Sequence, residues 1–274
     1  MAELNPAAFA PWLERWRLTP DGEGFVTGHS RSLLLPVARD GAPAMLKIAV
    51  APEEIAGGAL MEWWAGDGAA RVLAREEGAI LLERAVGTRS LAAMARDGGD
   101  DAASGILCQV LARLHAPRKA APPSTLVPLD VWFRALRPAT ARLGGVFTEA
   151  LATADRLLGE PRDIAILHGD LHHANVLDGG DRGWLAIDPK GLVGERGFDH
   201  ANILCNPDAE TAVAPGRLAA QAWVVATAAD LEPRRLLGWV LAYAGLSAAW
   251  TLEDGRFDST PAVEIARIAA AQLA

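Results

Sequence analysis

The stretch HGDLHHANVL, residues 168–177, followed after a short turn by WLAIDP, residues 184–189, decides how this chain is read. Val176 and Leu177 give one short apolar run and Trp184 to Ile187 another. Between them, Asp178-Gly179-Gly180-Asp181 has the composition of a hairpin turn. A hairpin here brings Asp170, Asn175 and Asp188 to one end of a two-stranded ribbon. Nothing else in the sequence gathers oxygen-bearing side chains between apolar strands in this way.

Such a set suits phosphoryl transfer. An alcohol attacking the γ-phosphate of a nucleotide needs a carboxylate to orient it and take its proton, and oxygen ligands for magnesium to offset the phosphate charge. Protein kinases carry H-x-D-x-x-x-x-N in the catalytic loop and a later metal-binding Asp across a hairpin. His168, Asp170 and Asn175 keep that spacing, and Asp188 stands where the later Asp would. Four positions in register are a specific signal; an HxD alone is not. Asp170 is the expected base, Asn175 and Asp188 the metal ligands, and His168 the residue that holds the loop by hydrogen bonds. No GxxxxGK[ST] occurs, which argues against a Walker-type fold.

HGDLHHANVL, RGWLAIDPKGLVGERGFD (182–199) and PRRLLGWVLAYAGLSAAW (233–250) together resemble the aminoglycoside phosphotransferase family, nearest its branch of streptomycin 6-kinases and hydroxyurea-resistance kinases. The resemblance implies an α+β, bilobal protein-kinase-like fold, with a small antiparallel β-sheet lobe bearing one helix and a larger, mainly helical C-terminal lobe. It implies an ATP- and Mg2+-dependent kinase that moves the γ-phosphate to a hydroxyl of a small molecule. Streptomycin at its 6-hydroxyl, in antibiotic resistance, is the acceptor it favours. Hydroxyurea, another metabolite or a sugar is the alternative. By the same resemblance Asp199 braces the catalytic loop from the start of a helix.

Upstream, strands are expected near residues 25–27, 32–37, 44–49, 72–73 and 79–82, with one helical segment among them. The almost wholly helical remainder sets the lobes at 1–86 and 87–274. Gly28-His29-Ser30-Arg31 lies where a kinase places its glycine-rich loop, but only Gly28 survives of GxGxxG. Backbone N–H groups with Ser30 or Ser32 would meet phosphate oxygens there, and a neutral hairpin turn is the plainer reading. Lys47, set among apolar residues of a strand, calls for an anionic partner unless it is an exposed edge residue. In kinases this lysine holds phosphates and pairs with a helix glutamate. Glu53, Glu54 and Glu62 follow; Glu62 is favoured because Trp63 and Trp64 would pin its turn into the core, with Glu54 the rival. The peptide groups of Glu83 to Val86 are expected to hydrogen-bond adenine at the hinge.

His172, His173, Lys190 and Glu195 are candidate substrate contacts; one of the two histidines would touch substrate unless both are hydrogen-bonded scaffold, and Lys190 lies close enough to the metal site to touch phosphate but could equally point to solvent. His168, Asp170, His172 and His173 also form a conceivable zinc-hydrolase ligand set, but that leaves Asn175, Asp188 and the lysine strand without a role. A non-catalytic pseudokinase is motivated by the eroded glycine loop and opposed by the retained base and metal positions.

The bulk composition is that of a globular chain. With 51% hydrophobic and 22% charged residues, 274 positions suffice for a substantial core. A net charge of −8 argues against nucleic acid and suits a cationic acceptor. Cys108 and Cys205 lack metal-type spacing and read as thiols in a reducing compartment. No signal peptide and no run of roughly 18 apolar residues is present, so a cytoplasmic protein without a membrane partner is expected. The segments 215–228 and 233–252, with Trp223, Trp239 and Trp250, are apolar almost all round and are expected to be buried.

Overall fold

Strand alternation and helix phase can be followed in a computed structural model of the chain, which describes residues 6–27, 31–49, 51–253 and 260–274, without the side chains of Glu53, Glu253 and Thr260. Six short strands make the first sheet: β1 (Leu18–Pro20), β2 (Phe25–Val26), β3 (Leu33–Arg39), β4 (Ala42–Ile48), β5 (Val72–Glu76) and β6 (Ala79–Glu83). The order is β1-β3-β4-β6-β5, with β2 added to β3, and every pairing is antiparallel. Successive side chains point to opposite faces. One face therefore buries Leu35, Val37, Ala44, Leu46, Ala79 and Leu81 against Phe9, which precedes α1 (Ala10–Arg15). The other face carries Lys47, which lies opposite Leu34 on β3 and Ile80 on β6. Lys47 is thus on a central strand, and the edge-strand alternative falls away.

Between β4 and β5, α2 (Pro52–Trp64) opens with proline at its first position, where the missing N–H costs nothing, and stops at Ala65 in the left-handed conformation. Leu60, Met61 and Trp64 join the sheet to the main core. A Cβ on Gly57 would lie 2.1 Å from the Pro189 carbonyl oxygen, so glycine lets this helix rest directly on the backbone beyond Asp188.

After β6 the chain is mainly helical: α3 (Leu91–Met94), α4 (Asp100–Leu114), α5 (Leu129–Trp132), α6 (Leu136–Leu143), α7 (Val146–Gly159), α8 (Gly197–Leu204), α9 (Ala209–Ala212), α10 (Arg217–Ala229), α11 (Pro233–Glu253) and α12 (Thr260–Leu273). Two small sheets interrupt it. One sets β7 (Val127–Pro128) and β8 (Ile164–Leu167) on either side of β11 (Leu192–Glu195); the other is the hairpin of β9 (Val176–Asp178) and β10 (Trp184–Ala186). The hairpin lies where the sequence placed it, with Leu177 opposite Leu185, although Asp178 pairs with Trp184 in the strand rather than standing in the turn.

On α4, Leu107, Leu111 and Leu114 are fully buried, and α11 packs against α7, α8 and α12. Trp239 is buried and Trp250 packs edge-on against Trp132, 5.3 Å between centroids. Trp223 departs from the expectation and is 67% exposed. The buried stripe of α10 runs through Leu218, Gln221, Ala222, Val225 and Ala226, and position 223 falls on the opposite face. Among the described residues no helix is long and apolar enough to cross a membrane. Cys108 and Cys205 are both free thiols.

Candidate active site

The loop from His168 to Asn175 leaves β8 and enters β9, so its two ends are anchored in different sheets. His168 ties it together. The imidazole stacks on Trp64 at 6.0 Å, its Nε2 donates to the Ile187 carbonyl (2.9 Å), and its Nδ1 accepts from the Asp170 N–H (3.2 Å). That pattern requires the neutral ring, and complete burial depresses its pKa accordingly. Asp199, in the first turn of α8 and fully buried, accepts from the His168 and Gly169 N–H groups and from His115 Nε2, each at 2.8 Å. Burial would raise the pKa of this carboxyl; the hydrogen bond and charge of His115, with the Gly169 N–H, outweigh it and keep the group ionised.

Asp170 is held from two sides. Its backbone oxygen accepts from Asn175 Nδ2 (2.8 Å), and its Oδ1 accepts from Asn202 Nδ2 (3.2 Å). Asn202 Oδ1 in turn accepts from Asn206 Nδ2 (2.9 Å). The Asn175 amide nitrogen is thereby committed to the loop. Asp188 sits just past β10 in the left-handed conformation, φ +62°.

Lys47 reaches Asp188 Oδ1 and also Glu54 Oε2, at 2.7 Å. The glutamate facing the lysine is therefore Glu54, and the choice of Glu62 is corrected. The two lie at opposite ends of α2, about 12 Å apart at 1.5 Å per residue. Glu62 faces outward and pairs with Arg75 (2.6 Å). Burial would raise the Glu54 pKa, but Lys47 and the Ser32 hydroxyl outweigh it and keep it below the usual glutamate range. Asp188 is likewise held low by Lys47 and Lys190 against its burial.

Ser32 is fully buried and its hydroxyl donates to Glu54, so it faces the lysine–glutamate pair rather than an open loop. Ser30, with Gly28 and His29, lies outside the described residues. At the far end, Glu83, Arg84 and Ala85 border the cleft between sheet and hairpin, whereas Val86 points outward and is 58% exposed. The Glu83 carboxylate is taken up by Arg182 (2.9 Å) and the Arg71 N–H (2.8 Å), while the Glu83 and Arg84 N–H groups donate to the Arg71 (2.9 Å) and Pro43 (3.4 Å) carbonyls.

Two cavities meet at this loop. The first, about 340 Å3, is the cleft itself: Leu34, Met45, Ile80, Leu82, Leu177 and Ile187 give it apolar walls, and Lys47, Asn175 and Asp188 close one end. The second, about 320 Å3, begins at Asp170 and His172 and runs between Asn202, Asn206, Tyr243 and Thr251. A larger depression of about 530 Å3 on α7, α11 and α12 contains none of the loop residues.

The candidate substrate contacts separate. His172 lines the second cavity, with Nε2 4.0 Å from Asp170. Lys190 points into the group of carboxylates, 3.4 Å from both Asp188 and Glu54. His173 is turned into the interior, 2% exposed, its pKa pushed down to about 4 chiefly by burial. Glu195 is also buried; it accepts from Arg235 (2.6 and 2.7 Å), Trp239 Nε1 (2.7 Å) and the Arg162 N–H (2.8 Å). With four donors on two oxygens it is a structural anchor and does not face either cavity of the loop.

Among the described residues, no three His, Cys, Asp or Glu side chains are grouped as a metal would need. The zinc-hydrolase reading is thereby removed, since His168 faces Ile187 and His173 the interior. Asp188 and Asn175, one carboxylate and one amide lining the cleft, are oxygen-bearing side chains of the kind that suit magnesium. Sequence reasoning passed over His115, Asn202 and Asn206 as site residues: His115 and Asn202 act through partners distant in the chain, and Asn206 acts only through Asn202.

An antiparallel sheet bearing a lysine–glutamate pair, set over a helical lobe that supplies an HxDxxxxN loop and a later aspartate, defines a protein-kinase-like phosphotransferase. The chain belongs to the aminoglycoside/hydroxyurea antibiotic resistance kinase family, whose model matches residues 15–255. It is 52% identical to a streptomycin 3''-kinase of Klebsiella pneumoniae, over 89% of this chain and 92% of that one. It is 37% identical to a streptomycin 6-kinase of Streptomyces griseus, over 91% and 84%. The fold is shared with the crystal structure of a thermostable mutant of aminoglycoside phosphotransferase APH(4)-Ia in ternary complex with ADP and hygromycin B: TM-score 0.66, 15% identity, 96% of this chain and 98% of that one.

Proposed function

We propose that this kinase moves the γ-phosphate of ATP to a hydroxyl of an aminoglycoside, streptomycin foremost, with Mg2+ as cofactor, and that it thereby inactivates the antibiotic in the cytoplasm, where ATP is at hand. The observation that carries this reading is that the loop borders two cavities, Asn175 lining one and Asp170 the other. One has apolar walls and ends in Lys47, Asn175 and Asp188; the other is polar and opens from Asp170 itself.

The apolar cleft suits a purine, with the main chain of Glu83 to Ala85 at its inner edge. Lys47, held by Glu54, positions the phosphates. Mg2+, held by Asp188 and Asn175, would neutralise charge building on the phosphate oxygens. In the second cavity the acceptor hydroxyl hydrogen-bonds Asp170, which takes its proton as the new P–O bond forms. Asn202 and Asn206 fix the orientation of that carboxylate. Asp199 and His168 hold the loop so that little reorganisation remains for the reaction itself, and the rate gain comes from positioning and charge.

The position phosphorylated is the finer question. Family resemblance favours the 6-hydroxyl, whereas the relative that shares 52% of its residues is named for the 3''-hydroxyl. Incubation with ATP, Mg2+ and streptomycin, followed by NMR location of the phosphate, decides both points. A product carrying one phosphate on streptomycin is expected. Transfer to hydroxyurea or a sugar, with none to streptomycin, would overturn the acceptor and leave the kinase.

A further inference from the structure

Lys190 is the one ammonium group of the site to which the chemistry above gives no task, although it points into its centre. Its Nζ lies 3.4 Å from Asp188 Oδ2, 3.4 Å from Glu54 Oε1 and 4.0 Å from Asp170 Oδ2. Lys47 faces the other oxygen of Asp188, so each oxygen of that carboxylate has an ammonium beside it. The Lys190 N–H donates to the His168 carbonyl (2.7 Å), which roots its stem in the catalytic loop, and its side chain is 17% exposed. A lysine that merely covered the surface would meet one carboxylate at its edge; this one meets three.

Its position also differs from that of Lys47. Lys47 contacts Glu54 and Asp188 from the sheet, whereas Lys190 lies between Asp188 and Asp170. The phosphoryl group must pass across that gap, from phosphates gathered at Asp188 to a hydroxyl held at Asp170. Three carboxylates and two ammonium groups leave one net negative charge here. Without Lys190 there would be two, against an incoming polyanion. An ammonium on a four-carbon stem is a compact charge that can follow its partners over a few ångströms.

We propose that Lys190 is a further catalytic residue. Before nucleotide arrives, its ammonium group lies against Asp188 and competes there with the metal. Once nucleotide is bound, it turns to the oxygens of the phosphoryl group in transit. In that step the bond from the terminal phosphorus to the bridging oxygen breaks, the bond to the acceptor oxygen forms, and the acceptor proton passes to Asp170. Lys190 stays protonated throughout and supplies charge alone. This rests on the kinase reading of the site, not on the identity of the acceptor.

The test compares Lys190→Met and Lys190→Arg with the wild-type chain by two readouts. One is steady-state ADP release with ATP and Mg2+, water serving as acceptor. The other is Mn2+ binding to the nucleotide-free protein, followed by electron paramagnetic resonance. Lys190→Met is expected to lower kcat by about 30-fold or more while the KM for ATP stays within about threefold, the signature of an interaction made in the transition state. It is also expected to bind Mn2+ about tenfold more tightly, because the competing ammonium is gone. Lys190→Arg keeps the charge, and should recover part of kcat with Mn2+ affinity near wild type; it serves if the methionine variant does not fold. A kcat for Lys190→Met within threefold of wild type, or an unchanged Mn2+ affinity, overturns the proposal. Failure of streptomycin as acceptor would appear as absent transfer by the wild type and leaves both readouts intact.

Discussion

Glu54 Oε2 lies 2.7 Å from Lys47 Nζ, and the glutamate side chain is wholly shielded from solvent. A hydrogen bond from Ser32 reaches the same oxygen, so the pair is satisfied inside the protein rather than by water. The lysine therefore has a fixed direction before any ligand arrives.

Replacing Glu54 with glutamine keeps the shape and removes the charge that anchors Lys47. A loss of about 100-fold in kcat/KM is expected, equivalent to about 3 kcal/mol of transition-state stabilisation. Glu62→Gln, at the outer end of the same helix, should stay within about threefold, since its partner Arg75 sits in high dielectric. Steady-state kinetics of the two variants side by side check the assignment, and equal losses would refute it.

Adjacent glycines on α2 should respond in opposite directions to alanine. In a helix interior alanine is favoured over glycine by about 1 kcal/mol. At Gly58 the new methyl would meet chiefly the flexible Arg75 side chain, at 2.9 Å, so Gly58→Ala should be neutral or mildly stabilising. At Gly57 it would stand 2.1 Å from a backbone oxygen, and the overlap should cost about 1–3 kcal/mol, overriding propensity. Chemical denaturation of both variants distinguishes these outcomes. Because the atom displaced belongs to Pro189, Gly57→Ala should also lower turnover.

Asp170 and Asp188 should fail differently. Asp170→Asn leaves the nucleotide cleft intact, so ATP binding is expected to persist while kcat falls by about 100-fold or more. Asp188→Ala should abolish metal-dependent nucleotide turnover in a protein that still folds. Calorimetric ATP titration with and without Mg2+, beside a turnover assay, separates the two. Retained wild-type turnover in Asp188→Ala would remove its assignment.

Stability should decline in mild acid. His173 and His200 are each 2% exposed, with pKa values pushed down by burial to about 4 and about 3. In the unfolded chain both rings take up a proton below about pH 6.5. The folded state refuses it, so their contribution is whole above pH 6.5 and is lost progressively on acidification. The slope is about 1.4 kcal/mol per pH unit for each ring between about pH 6.5 and its folded value. The lowered carboxylates Glu54 and Asp199 lose their contribution only nearer pH 4 and below, a separate window. Urea midpoints at pH 7, 6 and 5 should fall steadily, and a flat series would contradict the burial of these rings.

The hairpin and the convergence of Asp170, Asn175 and Asp188 were legible because local chemistry dictates them: turn residues between apolar runs fix the ribbon, and the ribbon fixes the ends. Lys47 was legible for the same reason, a charge in an apolar strand. The phase of α2 was not. Trp63 and Trp64 suggested that Glu62 points inward, but Trp63 is half-exposed and donates to the Ala120 carbonyl, so only Trp64 marks the buried side. Helix rotation about its axis is set by what packs against it, here Pro189, which lies over 130 positions along the chain. Glu195 misled in the opposite way: it stood as a candidate substrate contact, yet its four donors come from residues 162, 235 and 239. The bond from His115 to Asp199 spans 84 residues and leaves no local trace.

The adjacency of Asn175, which lines one cavity, and Asp170, which lines the other, has a bearing on inhibition. A single molecule in which adenosine is tethered through a short phosphate chain to an aminoglycoside would lodge in both at once, and the second half would bind as though at a greatly raised local concentration. The tether length giving the tightest such hybrid would gauge the span that the migrating phosphate bridges during turnover.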